Sequence, residues 1–195
     1  MARTSLYTFA VTGLFLIAGT LYLWGQPLIC TCGEVKLWVN SIFDGGNSQH
    51  IADWYTLSYI LHGVLVALIG RLIFPRLSFE VLFLVAITSG IFWEIIEHTN
   101  WVLDAFRATT INAGYLGDSV LNAVSDYLFM LAGFFAAYNS RVPLVIAGVL
   151  GLELTAGLIG RDNLTLSTIQ LLAPVDAIDD WQQELNPVPY NGITN

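Results

Sequence analysis

The sequence predicts an all-α membrane protein: a polytopic bundle of five transmembrane helices followed by a short interfacial or re-entrant C-terminal helix. Two observations lead to this prediction. The 195 residues are 55% hydrophobic and only 11% charged, whereas soluble domains contain roughly 25% charged residues. Five apolar stretches also approach or exceed the ~18 residues that mark a spanning helix, because ~20 helical residues cross the hydrocarbon core of a bilayer.

Loop and turn residues separate the five apolar stretches. The first stretch follows Arg3 and is typical of a signal peptide or a signal anchor, of which we expect the uncleaved anchor. The second ends at Pro75, and the third begins after Ser78, a favourable N-cap residue. We place the spans at residues 5–24, 54–74, 78–98, 118–138 and 142–160.

The remaining segments are too short or too polar to span a membrane. Residues 99–117 are of mixed polarity and suit a loop or a short interfacial helix. Residues 164–173 are apolar but too few to cross a bilayer, and residues 174–195 form an acidic, polar tail. We expect Arg161 to pair with Glu153 or Asp162. The whole chain, 1–195, is predicted to form a single membrane-embedded domain.

Charge and cysteine content exclude some functions. The net charge of −8, with seven scattered Lys and Arg residues, gives no basic surface for nucleic acid, so membrane lipids are the expected surroundings. Cys30 and Cys32 are too few for a disulfide framework or a zinc site of their own. They could be free thiols, a bonded pair or half of a shared metal site.

The arginines favour a cytoplasmic N-terminus. With this orientation, four of the seven basic residues lie on the cytoplasmic side, each within a few residues of a helix end, where the positive-inside bias is strongest. These four are Arg3, Arg71, Arg76 and Arg141.

Polar side chains from four spans are expected in the same half of the bilayer, because successive helices alternate in direction. A charged side chain at the bilayer centre costs about 2.5 to 3.5 kcal/mol on insertion scales. We therefore expect these residues to share one polar cavity. They are His50, Asp53, His62, Glu94, Glu97, His98, Asp118, Asn122, Asp126 and Glu153.

Two kinds of chemistry fit these residues. Glu94 and His98, four residues apart on one helical face, could bind a divalent metal ion together with His62. Buried carboxyl groups can also act as acid and base, and the catalytic candidates are Glu97, Asp126 and Asp53. His50, Asp118, Asn122 and Trp93 are the candidates for substrate binding. Alternatively, these groups hydrogen-bond between helices and only fix their packing.

Long polar motifs resemble a known family. The segments I-C-T-C-G-E-V-K-L-W, W-E-I-I-E-H, G-D-S-V-L-N-A-V-S-D and E-L-T-A-G-L-I-G-R-D-N-L-T-L resemble the bacterial membrane family DUF2585, also catalogued as UPF0314. The likeness extends from about Cys30 to Trp181. The order of the shorter motifs is more remotely similar to the VanZ-like membrane proteins. The resemblance implies a membrane location and names no substrate.

Three functions remain open, and whether the protein is an enzyme is undecided. The leading hypothesis is an inner-membrane protein whose outward-facing polar cavity binds, or acts on, a lipid-linked or other amphiphilic molecule. The alternative is a non-catalytic accessory subunit or assembly factor of a larger membrane complex. Ion passage ranks last, because the opposite halves of the helices are apolar.

Overall fold

The computed structural model describes residues 3–111 and 114–187, and all regular structure in these ranges is helical. The predicted all-α class is therefore confirmed. The helices are α1 (Arg3–Leu23), α2 (Thr56–Ile73), α3 (Phe79–Glu97), α4 (Asn100–Thr109), α5 (Val120–Asn139), α6 (Val142–Thr155), α7 (Leu164–Leu172) and α8 (Asp176–Gln183). A π-helical turn, Ala156–Gly160, extends α6.

Five helices are long and apolar enough to cross a membrane: α1, α2, α3, α5, and α6 with its π-helical turn. Each end lies within two residues of the predicted span, because runs of apolar residues of this length leave little freedom in placing a helix. The chain therefore has the architecture of a multi-pass membrane protein.

The backbones of α2 and α5 touch. Gly63 lies against the carbonyl oxygen of Met130, and Gly133 lies against that of Ile60, so a side chain at either glycine would collide with the partner helix. Small residues allow such close approach between membrane helices, where packing replaces the hydrophobic effect. The central helix of the bundle is α5, whose Tyr127 and Met130 are fully buried.

The other spanning helices pack around this pair. Helices α1 and α3 contact each other and α5, while α6 packs against α2. Most of the apolar surface of α6 stays exposed within the monomer. Such a surface suits contact with lipid tails.

Arginines join the helices at one end of the bundle. Arg3 in α1 donates to Glu80 at the start of α3, at 2.9 Å. Arg71 near the end of α2 donates to the carbonyl oxygens of Ala137 and Ser140 at the end of α5, at 2.8 Å each. This is the arginine end. The opposite end, called the acidic end, holds Asp53, Glu94, Glu97, Asp118 and Asp126.

Two short helices, α4 and α7, contact each other. Residues 99–117, predicted as a loop or a short helix, thus contain a short helix, and the short helix predicted within residues 164–173 is also present. By contrast, the segment predicted only as a polar tail contains α8.

Helix α8 also explains why the expected partners of Arg161 are wrong. The Arg161 guanidinium stacks over the Trp181 ring, 4.5 Å from its centroid. It donates to the Trp181 carbonyl oxygen at 3.0 Å and to Glu184 at 3.1 Å. These partners lie at the end of α8 or just after it, whereas the prediction named Glu153 or Asp162.

The long loop between α1 and α2 covers the start of α5. The carbonyl oxygens of Pro27 and Leu28 accept the backbone N–H groups of Val120 and Leu121, at 2.8 and 3.1 Å. The first N–H groups of a helix have no partner within the helix. The loop therefore serves as the N-terminal cap of α5. In the same loop, Cys30 and Cys32 are joined by a disulfide, so of the three alternatives the structure shows the bonded pair.

Candidate functional site

A cleft of about 610 Å³ lies between α2 and α3, with residues of α4, α5 and α7 also in its walls. Its lining changes from polar to apolar along α2. The polar lining includes Tyr59, His62, Glu97, Tyr115, Asp118 and Asp126. The apolar lining includes Leu65, Val66, Ile69, Phe74, Leu82 and Val85.

Glu97 is held by two tyrosines at the polar end of the cleft. The Tyr59 hydroxyl donates to one carboxylate oxygen at 2.6 Å, and the Tyr115 hydroxyl approaches the other at 3.4 Å. Tyr59 comes from α2 and Tyr115 from the segment before α5, so three parts of the chain meet at this carboxylate. Both tyrosines also line the cleft, where a bound polar group could replace the hydrogen bond from Tyr59 or the longer contact with Tyr115.

Asp126 and Asp53 are linked through one threonine. The Thr56 hydroxyl donates to Asp126 at 2.7 Å and lies 3.1 Å from the backbone N–H of Asp53, which donates to it. The Asp53 carboxylate accepts the N–H groups of Ser48 and Tyr55, at 2.7 and 2.8 Å. Burial raises the pKa of Asp53 to about 6, although these hydrogen bonds favour its charged form. Asp126 lines the cleft, while Asp53 lies among the loop residues behind it.

Glu94, His98 and Asp118 form a buried group beside the cleft. Each offers one ligand atom, and these atoms lie within 4.8 Å of one another. The His98 Nδ1 atom lies 2.7 Å from the Glu94 carbonyl oxygen, and Nε2 lies 2.9 Å from the Asp118 backbone N–H. Only an unprotonated Nε2 can accept that N–H. His98 therefore fixes Asp118 to the end of α3.

Asp118 belongs both to this group and to the cleft. One of its carboxylate oxygens accepts the Tyr115 hydroxyl at 2.7 Å. Burial raises the pKa of Asp118, while the hydrogen bond from Tyr115 acts in the opposite direction. Burial, followed by the neighbouring acidic groups, raises the pKa of Tyr115 well above its usual value. Tyr115 therefore stays a hydroxyl donor at neutral pH.

The predicted metal set is only partly brought together. Glu94 and His98 are neighbours, but the third member of their group is Asp118 and not His62. The Nε2 atom of His62 lies 3.0 Å from the Ser89 hydroxyl on α3, farther toward the arginine end. His62 does line the cleft. The structure thus places His62 in the wall of the cleft and not in the buried group.

Two of the four predicted substrate-binding residues line the cleft, and the other two do not. Trp93 and Asp118 line the cleft, and His50 and Asn122 are not among the residues that line it. The Asn122 side chain donates to the His50 carbonyl oxygen at 2.8 Å. A ring nitrogen of His50 lies near Cys30 and Cys32, within 4.8 Å. In this arrangement, both residues attach the loop to α5.

The two hydroxyl groups that donate to the carboxylates of the site were not predicted from the sequence. Tyr59 and Thr56 donate to Glu97 and Asp126, but neither was a candidate. Their spacing was the available signal, because Thr56, Tyr59 and His62 follow one another at intervals of three residues and so share one face of α2.

The comparisons agree with the motifs seen in the sequence. The family described as "Protein of unknown function (DUF2585)" matches residues 21–184. A UPF0314 protein of Rhizobium etli (strain CIAT 652) is 44% identical over 165 residues, which cover 84% of each chain. A UPF0314 protein of Sphingopyxis alaskensis is 44% identical over 167 residues, covering 86% of this chain and 89% of that one. One of Paracoccus denitrificans is 42% identical over 170 residues, covering 87% and 88%.

No solved structure matches the chain. The family evidence therefore comes from sequence, and it extends over four of the five described helices that could span a membrane and over only the last three residues of α1. The resemblance inferred from the polar motifs is confirmed, and the chain belongs to the DUF2585 family, whose curated relatives carry the name UPF0314.

Proposed function

We propose that this protein binds an amphiphilic molecule, such as a lipid-linked compound, in the cleft between α2 and α3. The observation that carries the proposal is the change in the cleft lining along α2, from carboxylates and tyrosines to aliphatic side chains. A polar head group would contact Glu97, Asp118 and Asp126. The apolar part would lie along Val66 and Ile69.

The length of the cleft suits a long apolar group. Tyr59 and Phe74 both line it, and fifteen residues of helix correspond to about 22 Å at 1.5 Å per residue. The cleft is thus as long as a large part of the ~30 Å hydrocarbon core.

The polar end offers both hydrogen-bond acceptors and donors. Glu97 and Asp126 provide carboxyl oxygens, and Tyr59 and Tyr115 provide hydroxyl groups. A head group rich in hydroxyl or amine donors would match the acidic side chains. The same carboxyl groups could transfer protons to or from a bound molecule, so acid/base catalysis is included in the proposal, with Glu97 and Asp126 as the groups that touch the substrate.

The arginine end favours an orientation with the N-terminus in the cytoplasm of a bacterium. Arg3, Arg71, Arg76 and Arg141 flank the spanning helices there, as the positive-inside bias requires. The acidic end and the mouth of the cleft would then face the periplasm. Fusions of alkaline phosphatase after Gln183 should be active, and fusions within residues 74–78 should be inactive; the reverse pattern would contradict this orientation.

The cleft is tested by blocking its apolar part. The protein would be purified from bacterial membranes in a mild detergent and examined for retained amphiphiles by native mass spectrometry. Val66→Trp places a large ring in the cleft, and we expect it to lose the retained molecule. Leu72→Trp is the matched control, because Leu72 lies on the same helix, is exposed and does not line the cleft.

Glu97→Gln and Asp126→Asn test the polar end in the same assay. We expect both variants to fold and to retain less of the molecule than the wild type. Equal retention by the wild type, Val66→Trp and Glu97→Gln would contradict the proposal. A protein subunit bound at fixed stoichiometry, without any amphiphile, would instead support the alternative of an accessory subunit.

A further inference from the structure

Glu94 is a fully buried carboxylate without a hydrogen-bond donor. It is only 1% exposed, and neither of its carboxylate oxygens has a partner among the described residues. More than about 90% of buried polar groups in proteins are hydrogen-bonded. An isolated buried carboxylate costs several kcal/mol, so a group like this one requires a cation or a proton.

A second unpartnered oxygen belongs to Asp118. Its Oδ2 atom is buried and has no hydrogen-bond partner in the described part of the chain, while Oδ1 accepts the Tyr115 hydroxyl. Glu94 and Asp118 each have a carboxylate oxygen in the group whose ligand atoms lie within 4.8 Å of one another. Two acidic side chains thus meet in a buried space, and three of their four carboxylate oxygens have no hydrogen-bond partner among the described residues.

Arginine and lysine do not supply the missing positive charge. In the described ranges 3–111 and 114–187, no ion pair joins an arginine or lysine to Glu94 or Asp118. The ion-paired arginines are Arg3 with Glu80, Arg107 with Asp104, and Arg161 with Glu184. The other carboxyl groups at this end, including Glu97 and Asp126, are acidic and supply no positive charge either.

We propose that Glu94 and Asp118 bind one divalent cation of the hard, oxygen-preferring class, such as Mg²⁺, Mn²⁺ or Ca²⁺. Carboxylate oxygens are the ligands that these ions prefer. The ring of His98 already uses both nitrogens, one on the Glu94 carbonyl oxygen and one on the Asp118 N–H. His98 therefore acts as a positioning residue that holds the two carboxylates in place.

The cation site lies beside the cleft and shares Asp118 with it. Glu94 itself does not line the cleft. An ion at this position would offset the negative charge that a head group meets at the acidic end. The site can nevertheless be tested in the absence of any amphiphile, so its failure and the failure of the proposed cleft function are distinguishable.

The test is a titration of the chelator-treated, full-length protein in detergent with Mn²⁺, followed by electron paramagnetic resonance of the free ion. We expect one saturable Mn²⁺ per wild-type chain, displaced by Mg²⁺ or Ca²⁺. Glu94→Gln should weaken Mn²⁺ binding at least tenfold, because loss of an outer-shell partner alone costs about 10- to 100-fold. Glu80→Gln, at the other end of the same helix, should leave binding unchanged.

A second measurement covers the case in which Glu94→Gln does not fold. The unfolding temperature of the wild type should rise with Mn²⁺ concentration, since a ligand that binds only the folded state stabilises it. His98→Gln should weaken binding less than Glu94→Gln, as expected for a positioning residue. Absence of saturable binding of all three ions to the wild type would overturn the proposal, as would equal affinity in Glu94→Gln.

Discussion

Asp53 gives the protein a stability that depends on pH. Its carboxylate lies outside the spanning helices and is 1% exposed. Burial raises its pKa from 3.8 to about 6. The folded chain therefore holds the Asp53 proton more tightly than the unfolded chain does. The resulting stabilisation is complete below pH 3.8 and is lost as the pH rises through about 6.

The size of this effect follows from the difference between the two pKa values. Each pKa unit corresponds to 1.36 kcal/mol, and the shift from 3.8 to about 6 gives a contribution of about 3 kcal/mol to the free energy of unfolding. Asp53→Asn removes the titrating group and resembles the protonated carboxyl. Relative to this variant, the wild type should lose about 3 kcal/mol between pH 4 and pH 8.

Denaturant titrations in detergent, followed by tryptophan fluorescence at pH 4, 6 and 8, would measure this difference. Comparing each variant with the wild type at the same pH removes the contributions of other acidic groups. Asp104→Asn is the control, since it removes an exposed carboxyl with the same change in net charge. Parallel pH profiles for the wild type and Asp53→Asn would refute the reasoning, because they would mean that Asp53 titrates alike in both states.

Three further outcomes are expected. Gly63→Ala should lower the free energy of unfolding by about 1 to 3 kcal/mol, because the added methyl group meets the α5 backbone. Gly148→Ala is the control, since open space surrounds Gly148. Equal unfolding temperatures of the two variants would contradict the contact between α2 and α5. Tyr59→Phe should cost about 1.5 to 3 kcal/mol through its lost bond to a carboxylate, also measured by unfolding. A maleimide should label neither cysteine before reduction and should then label exposed Cys32 faster than buried Cys30, as mass spectrometry would show.

The spanning helices could be predicted because each is specified locally. A run of about twenty apolar residues has to form a helix in a bilayer, since its backbone groups find no other partners there. Helix direction then alternates along the chain, and this placed Glu97, Asp118 and Asp126 toward the same end of the bundle. These conclusions needed no knowledge of which helices touch.

The composition of the site depended on helix rotation and on loop paths, which the sequence does not specify. The spacing of Glu94 and His98 was sufficient to make them neighbours, but the rotation of α2 directs His62 toward Ser89. Tyr115 reaches Glu97 and Asp118 only because the segment before α5 folds back over the cleft. The partners of Arg161 lie at the end of α8 or just after it. The signal for this short amphipathic helix was the spacing of Ile178 and Trp181, which the prediction of a polar tail did not use.

The backbone contact between α2 and α5 also determines which walls of the cleft can move. Because α2 and α5 are in backbone contact at Gly63 and Gly133, neither helix can slide or rotate without a steric clash. We therefore expect the two helices to move as one rigid unit. Helix α3 also packs closely against α5, because Gly90 lies against the Tyr127 ring. If the cleft widens to accept a large ligand, we therefore expect α4 and α7, the two short helices beside the acidic end, to move.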